Sequence, residues 1–298
     1  MAKQIRIVEV GLRDGLQNEK QELSVAQKVM LVDKLVRSGS RFMEIGAFVS
    51  PKWVPQMADT EAVVKEVLAN KNYKTVEFSA LVPNEVGMQK ALLCKAPEVS
   101  VFTAVSDTFT EKNINCSVDE SFKRFEPVLK LAKKNKIKVR GYLSTAFVCP
   151  YEGLIDPKKT LKVCERLLEL GVYEVSVADT IGVANPKQVE TLVKKLTTKF
   201  PKKKIAMHFH DTRGMALANI VKCLEQGITT FDASIGGLGG CPYAKGAAGN
   251  VATEDVVNML HEMGYSTGID LNDLVKTAKW LQSIFTRSLS SKLSKIID

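Results

Sequence analysis

Residues 174–212 read EVSVADTIGVANPKQVETLVKKLTTKFPKKKIAMHFHDT. Residues 174–178 form a short run rich in β-branched side chains, residues 186–200 carry apolar side chains at helical spacing, and residues 204–208 form a second short apolar run. Strand, helix and strand in that order imply a right-handed parallel unit. The same alternation extends both ways. Strands are predicted at residues 5–10, 42–45, 76–81, 99–105 and 139–145 on the amino side, and at 230–233 on the carboxyl side. Helical patterns fall between them at 24–37, 60–68, 85–93, 118–134, 157–170 and 215–225, followed by 253–263 and a terminal segment 271–289. Ser24 and Gln27 open the first helix as a capping box, and Gly39 closes it. Eight strands alternating with helices in 298 residues predict an α/β protein with a closed (β/α)8 (TIM) barrel and additional C-terminal helices. No linker-like or low-complexity tract divides the chain, so residues 1–298 are expected to form a single catalytic domain.

Composition narrows the class. With 45% hydrophobic and 25% charged residues the chain can bury a sizeable core, and no run is long enough to cross a membrane. The N-terminal residues lack an apolar leader core, and six cysteines (Cys94, Cys116, Cys149, Cys164, Cys223 and Cys241) occur without a CxxC pair. Reduced thiols and a cytoplasmic location are the expectation. The net charge of +9 admits nucleic acid as a partner, but the densest basic runs, 133–138 and 202–204, sit where helical patterns end and complement helix dipoles. With no RNP-type, helix-turn-helix or zinc-finger pattern, neither nucleic acid nor membrane is expected as a partner.

In a barrel of this kind active sites are built from the loops at the carboxyl ends of the strands. The reactive residues fall there. Arg13 and Asp14 follow the first strand, Glu44 ends the second, Asp179 follows the sixth, and His208 and His210 end the seventh. Cys241 and Asn250 lie in the glycine-rich segment after the eighth. Residues i and i+2 of extended backbone share a face, so His208 and His210 can offer two imidazoles to one ion, although strand-end histidines satisfied by hydrogen bonds give the same pattern. Asp14 enters from a strand only one removed from the seventh, and an amide oxygen such as that of Asn250 would complete an N2O2 set suited to Mg2+ or Mn2+. Arg13 beside this group would meet an anion or a developing oxyanion, or else pair with Glu44 or Asp179. Glu44 and Asp179 are read chiefly as supports for Arg13 and the ligands. Cys241 can serve as a proton donor or base if its pKa suits, or be a passive loop cysteine.

At these residues the sequence resembles the 3-hydroxy-3-methylglutaryl-CoA lyase family, within the metal-dependent barrels that include isopropylmalate and homocitrate synthases. The resemblance runs along essentially the whole chain, through VGLRDGLQNE (10–19), FVSPKWVPQM (48–57), DTIGV (179–183), HFHDT (208–212) and GLGGCPYA (237–244). It implies that Asp14, His208, His210 and Asn250 hold the metal, that Arg13 and Cys241 are catalytic with Glu44 in support, and that the protein is a homodimer. The implied reaction splits an acyl-CoA substrate into acetoacetate and acetyl-CoA by a retro-Claisen step, with the metal lowering the pKa of the tertiary hydroxyl, Arg13 stabilising the enolate, and Cys241 or His208 returning a proton. Ala47 stands where the family often has serine, Phe209 where cysteine is common, and Arg213 where tyrosine is frequent. Rival readings are a related acyl-CoA lyase, a synthase condensing acetyl-CoA with a 2-oxo acid, and a pyruvate-type aldolase. Lys20 and Lys52 are candidates for the CoA phosphates, though each has the character of an ordinary surface lysine.

Overall fold

The computed structural model describes residues 2–239 and 249–296. Eight parallel strands close into a barrel: β1 (Arg6–Glu9), β2 (Phe42–Ala47), β3 (Glu77–Leu81), β4 (Glu98–Ala104), β5 (Lys138–Ser144), β6 (Glu174–Asp179), β7 (Ile205–Phe209) and β8 (Thr230–Ala233). Each strand pairs with its neighbours in sequence, and β8 closes on β1 with Glu9 opposite Ala233. The outer ring consists of α1 (Val25–Arg37), α2 (Thr60–Ala69), α3 (Glu85–Leu93), α4 (Asp107–Ile114), α5 (Val118–Lys134), α6 (Pro157–Leu170), α7 (Pro186–Lys199) and α8 (Ala216–Glu225), followed by α9 (Thr253–Glu262) and α10 (Leu271–Ile284). No helix among the described residues is long and apolar enough to cross a membrane.

Local chemistry explains the boundaries. The Ser24 and Gln27 side chains reciprocate as a capping box, and α1 stops where Gly39 takes φ 99°. There Gly39 N donates to Val36 O and Ser40 N to Leu35 O, which satisfies the last carbonyls of the helix. Helix α4 has no counterpart in the sequence expectation because its eight residues contain only two apolar side chains, Phe109 and Ile114. It is set instead by Ser106, which caps Phe109 N at 3.1 Å, and by Asn115 in the left-handed region. Residues 11–15, expected as loop, form one π-helical turn. The seventh strand begins and ends one residue later than predicted, at Ile205–Phe209, so His208 lies inside it and His210 just beyond.

The two faces of the barrel wall differ. Val139, Val175 and Val177 are fully or almost fully buried, as the outward-facing positions under a helical layer require. On the opposite face Arg140 reaches Asp232, although β5 and β8 are not neighbours, so both side chains lie inside the barrel. The lumen therefore contains charge: Arg140 bridges Glu174 (2.9 Å) and Asp232 (2.7 Å), and Arg6 also bonds Glu174. Two cations and two carboxylates cancel, which makes such burial tolerable.

Candidate active site

Arg13 and Asp14 owe their places to the π-helical turn Gly11–Gly15 at the exit of β1. The turn is seated on Glu9, whose buried carboxylate accepts from Gly11 N (2.8 Å), Ile235 N (2.9 Å) and Thr253 Oγ1 (2.6 Å). A Cβ on Gly11 would lie 2.6 Å from Glu9 Oε1, so only glycine permits this approach. Burial pushes the Glu9 carboxyl up to about 7 against the pull of its three donors.

Arg13 is 4% exposed. Its Nε donates to Glu44, its Nη1 donates to Asp14 Oδ1 at 2.7 Å, and its guanidinium lies 4.9 Å from the centre of the Tyr142 ring. Glu44 in turn accepts from the Ser100 hydroxyl. Glu44 thus binds the guanidinium of Arg13, which takes Asp14 as a second partner. Asp14 Oδ2 accepts from Asn250 Nδ2 at 2.8 Å and faces Nε2 of His210 at 3.7 Å and Nε2 of His208 at 3.9 Å. Burial alone would raise the Asp14 carboxyl, but the positive charge of Arg13, helped by the two facing imidazoles, outweighs it and holds the group well below the usual carboxylate range.

The two histidine rings lie 5.2 Å apart. His208 Nδ1 sits 3.3 Å from Asp232 Oδ2, and Asp232 directly opposes His208 in the β8–β7 register. Phe209 between them is buried against Phe147, so this departure from the family pattern lies behind the histidines, away from the site. Asn250 is brought in by a return of the chain: residue 250 bridges His210 in antiparallel fashion, with Asp211 N donating to Gly249 O and Val251 N to Phe209 O.

Asp179 has a different task. Its carboxylate accepts from Val183 N (3.2 Å) and Ala184 N (3.0 Å), and its carbonyl accepts from His210 N. It shapes the turn after β6 and anchors the His210 backbone, while burial lifts its carboxyl above the ordinary value despite the two amides. Cys241 lies outside the described residues. The feet of its segment meet beside the site: a Cβ on Gly249 would lie 2.0 Å from Gly239 O, and one on Gly239 would lie 2.8 Å from Asn250 Nδ2. Lys20, Lys52 and Arg213 are exposed, and Ala47 is buried at the end of β2.

A C-terminal strap closes one side. Arg287 pairs with Glu19, and Gly239 N donates to Glu19 Oε1 at 3.3 Å. Ser291 N donates to Gly236 O, the Ser290 hydroxyl to Gly237 O, and Lys292 Nζ to Asp211 at 3.0 Å. Under this strap Glu254 accepts from Gly236 N with both oxygens at 3.1 Å, and burial raises its carboxyl to about 7.

The residues fit a divalent cation. One ligand atom from each of Asp14, His208 and His210 lies within 4.8 Å of the others. Asn250 Nδ2 is fixed by Asp14 and by Leu238 O, which leaves its Oδ1, like His210 Nδ1, buried without a hydrogen-bond partner among the described residues. Arg13 offsets only one of the two carboxylates it touches, so the cluster of Arg13, Glu44 and Asp14 keeps a residual negative charge. Two imidazoles, a carboxylate and an amide oxygen make a donor set for a divalent ion that does not require thiolate.

Sequence reading missed Asp232, Arg140, Tyr142, Glu9 and Glu254. For Arg140, Tyr142 and Asp232 the available signal was a charged or hydroxylated side chain at alternate positions within a strand, as in Lys138-Val-Arg140-Gly-Tyr142; Glu9 and Glu254 gave no such signal.

Known proteins share the sequence and the fold of this chain. Residues 4–281 match the HMGL-like family. A hydroxymethylglutaryl-CoA lyase of Pseudomonas mevalonii is 51% identical over 267 residues, spanning 90% of this chain and 88% of that one. The crystal structure of the Bacillus subtilis HMG-CoA lyase superposes with TM-score 0.95 at 44% identity, covering 99% of this chain and 98% of the other. An HMG-CoA lyase from Acinetobacter baumannii, solved in complex with coenzyme A and 3-methylmalate, superposes with TM-score 0.93 at 35% identity over 98% and 95% of the two chains.

Proposed function

Given that the chain belongs to the HMGL-like family, we propose that it cleaves 3-hydroxy-3-methylglutaryl-CoA to acetoacetate and acetyl-CoA with a Mg2+ or Mn2+ ion held by Asp14, His208, His210 and Asn250. It is a carbon-carbon lyase, as are the relatives it matches over most of its length. The observation that carries the catalytic assignment is the junction at Asp14, where one carboxylate touches the guanidinium of Arg13 and faces both imidazoles.

When bound, the ion supplies Lewis acidity that lowers the pKa of the substrate's tertiary hydroxyl. The chain's own residues do the rest. Arg13, oriented by Glu44, presents a fixed positive charge to the thioester oxygen as the carbon-carbon bond breaks and an enolate develops. Because that charge is already held in place by two carboxylates, little reorganisation accompanies the step. Cys241 or a carboxylate of the ligand set takes the hydroxyl proton, and Cys241 delivers the proton that completes acetyl-CoA. Asp179 supports the set through the backbone of His210.

In this reading residues 1–298 act as one catalytic domain, in the cytoplasm and as a homodimer. Burial of the five described thiols, Cys94, Cys116, Cys149, Cys164 and Cys223, all unpaired, suits a reducing compartment.

The test is acetoacetate release from 3-hydroxy-3-methylglutaryl-CoA by chelator-stripped protein, with and without added Mg2+ or Mn2+, for the wild type and His208→Ala. Metal-dependent release that is lost in the variant is expected. Absence of release under every metal would turn the reading to a related acyl-CoA thioester or to the condensation of acetyl-CoA with a 2-oxo acid.

A further inference from the structure

Within the barrel the charged side chains form a chain of contacts that ends on His208. Arg6 and Arg140 share Glu174, Arg140 Nη2 donates to Asp232 Oδ1 at 2.7 Å, Ser176 Oγ donates to Asp232 Oδ2 at 2.6 Å, and the same Oδ2 lies 3.3 Å from His208 Nδ1. Asp232 is 2% exposed and Arg140 is likewise buried, so no bulk solvent competes for these contacts. A carboxylate paired with a guanidinium only accepts hydrogen bonds, so His208 can meet Asp232 only with a proton on Nδ1. Its Nε2, the nitrogen that faces Asp14, is the one left to face an ion.

We propose that Asp232 is the positioning residue of the metal site: held by Arg140 and Ser176, it fixes the ring plane and tautomer of His208 so that Nε2 is presented to the ion. An imidazole ligand whose second nitrogen donates to a carboxylate is oriented and made more basic by that partner. Sequence reasoning assigned this support to Glu44 and Asp179, but Glu44 is committed to Arg13 and Ser100, and Asp179 to two backbone amides. Asp232 is the carboxylate that touches the far side of a ligand imidazole. Arg140 has a matching part, since its planar fork spans Glu174 and Asp232 and sets the carboxylate in register with β7. The site would thus be aligned from the floor of the barrel as well as from its loops.

Because it rests on the metal-site reading above, the inference is tested by two measurements that do not use turnover. The chain has three histidines, His208, His210 and His261, so long-range 1H–15N spectra of 15N-histidine-labelled, metal-free protein can be assigned with His210→Gln and His261→Gln. Wild-type His208 is expected as the Nδ1–H tautomer. In Asp232→Asn the new amide can donate to Nδ1, so the tautomer should switch to Nε2–H, and Mn2+ affinity measured by titration calorimetry should fall about ten- to a hundred-fold. An Nε2–H tautomer in the wild type, which requires no variant to fold, would overturn the proposal. So would unchanged Mn2+ affinity in folded Asp232→Asn. Failure of the wild type to bind Mn2+ at all would instead overturn the metal-site reading, and this inference with it.

Discussion

Arg13 Nη1 donates to Asp14 Oδ1 across 2.7 Å, so the side chain assigned to the developing oxyanion and the one assigned to the ion share a hydrogen bond. The two functions are adjacent but opposite in sign. Replacing Arg13 with Gln removes a cation from beside the proposed ion while also removing the charge that stabilises the enolate. We expect kcat to fall about a hundred- to a thousand-fold with a much smaller change in KM, as for loss of a preorganised oxyanion donor. Mn2+ affinity should hold or tighten. A change confined to KM would remove Arg13 from the chemical step, and a marked loss of Mn2+ affinity would make it mainly a scaffold for Asp14.

Cys241→Ser should leave Mn2+ binding intact and slow turnover, because the hydroxyl is a far weaker acid than the thiol. Calorimetry and steady-state kinetics on the same preparation separate the two effects. Metal lost together with activity would show that the cysteine has been misplaced.

Stability should carry a pH signature from Glu254. Its carboxyl is raised by burial from 4.5 to about 7, against hydrogen bonds that favour the ionised form. A raised carboxyl contributes stability that is fully present below pH 4.5 and is lost as the pH climbs through 7. Glu254→Gln removes that titration, so between pH 5 and 7 the stability of the variant should decline less steeply than that of the wild type, by at most about 1.4 kcal/mol per pH unit. Urea unfolding of both proteins across this window is the check, and parallel curves would sink the assignment. Glu9, also raised to about 7, makes a second contribution of the same sign that Glu254→Gln leaves in place.

Arg287→Ala should act at a distance. Arg287 is well exposed and its pair with Glu19 adds little to global stability, yet Glu19 also receives Gly239 N at the foot of the Cys241 segment. We expect faster hydrogen exchange at the Gly239 amide and a fall in kcat/KM of about ten-fold, with the melting temperature nearly unchanged. Unaltered exchange there would disconnect the strap from the site.

Much of this could be read before any fold was known. His208, His210 and Asp14 were legible because strand periodicity and barrel connectivity bring their positions together whatever the surrounding side chains are. Helix α4 was not, since Ser106 and Asn115 define it by capping while its apolar content is too low for a periodic signal. Asp232 was missed for a related reason. A single acid in Thr230-Phe-Asp232-Ala looks like an interruption of a core strand until Arg140 and Ser176, distant in sequence, are seen to meet it. Periodicity reports which face a residue occupies, but not which charge waits across the lumen.

The strap formed by residues 287–292 also bears on biosynthesis. A chain emerging from the ribosome has delivered all eight strands, both histidines, Cys241 and Asn250 well before these residues appear. Domains tend to fold as they are made, so the barrel can assemble first. The contacts that brace Gly236, Gly237 and Gly239 arrive after the barrel is complete. A nascent chain would thus pass through a stage with the barrel formed and Gly236, Gly237 and Gly239 not yet braced, and catalytic competence would wait until residues 287–292 had followed.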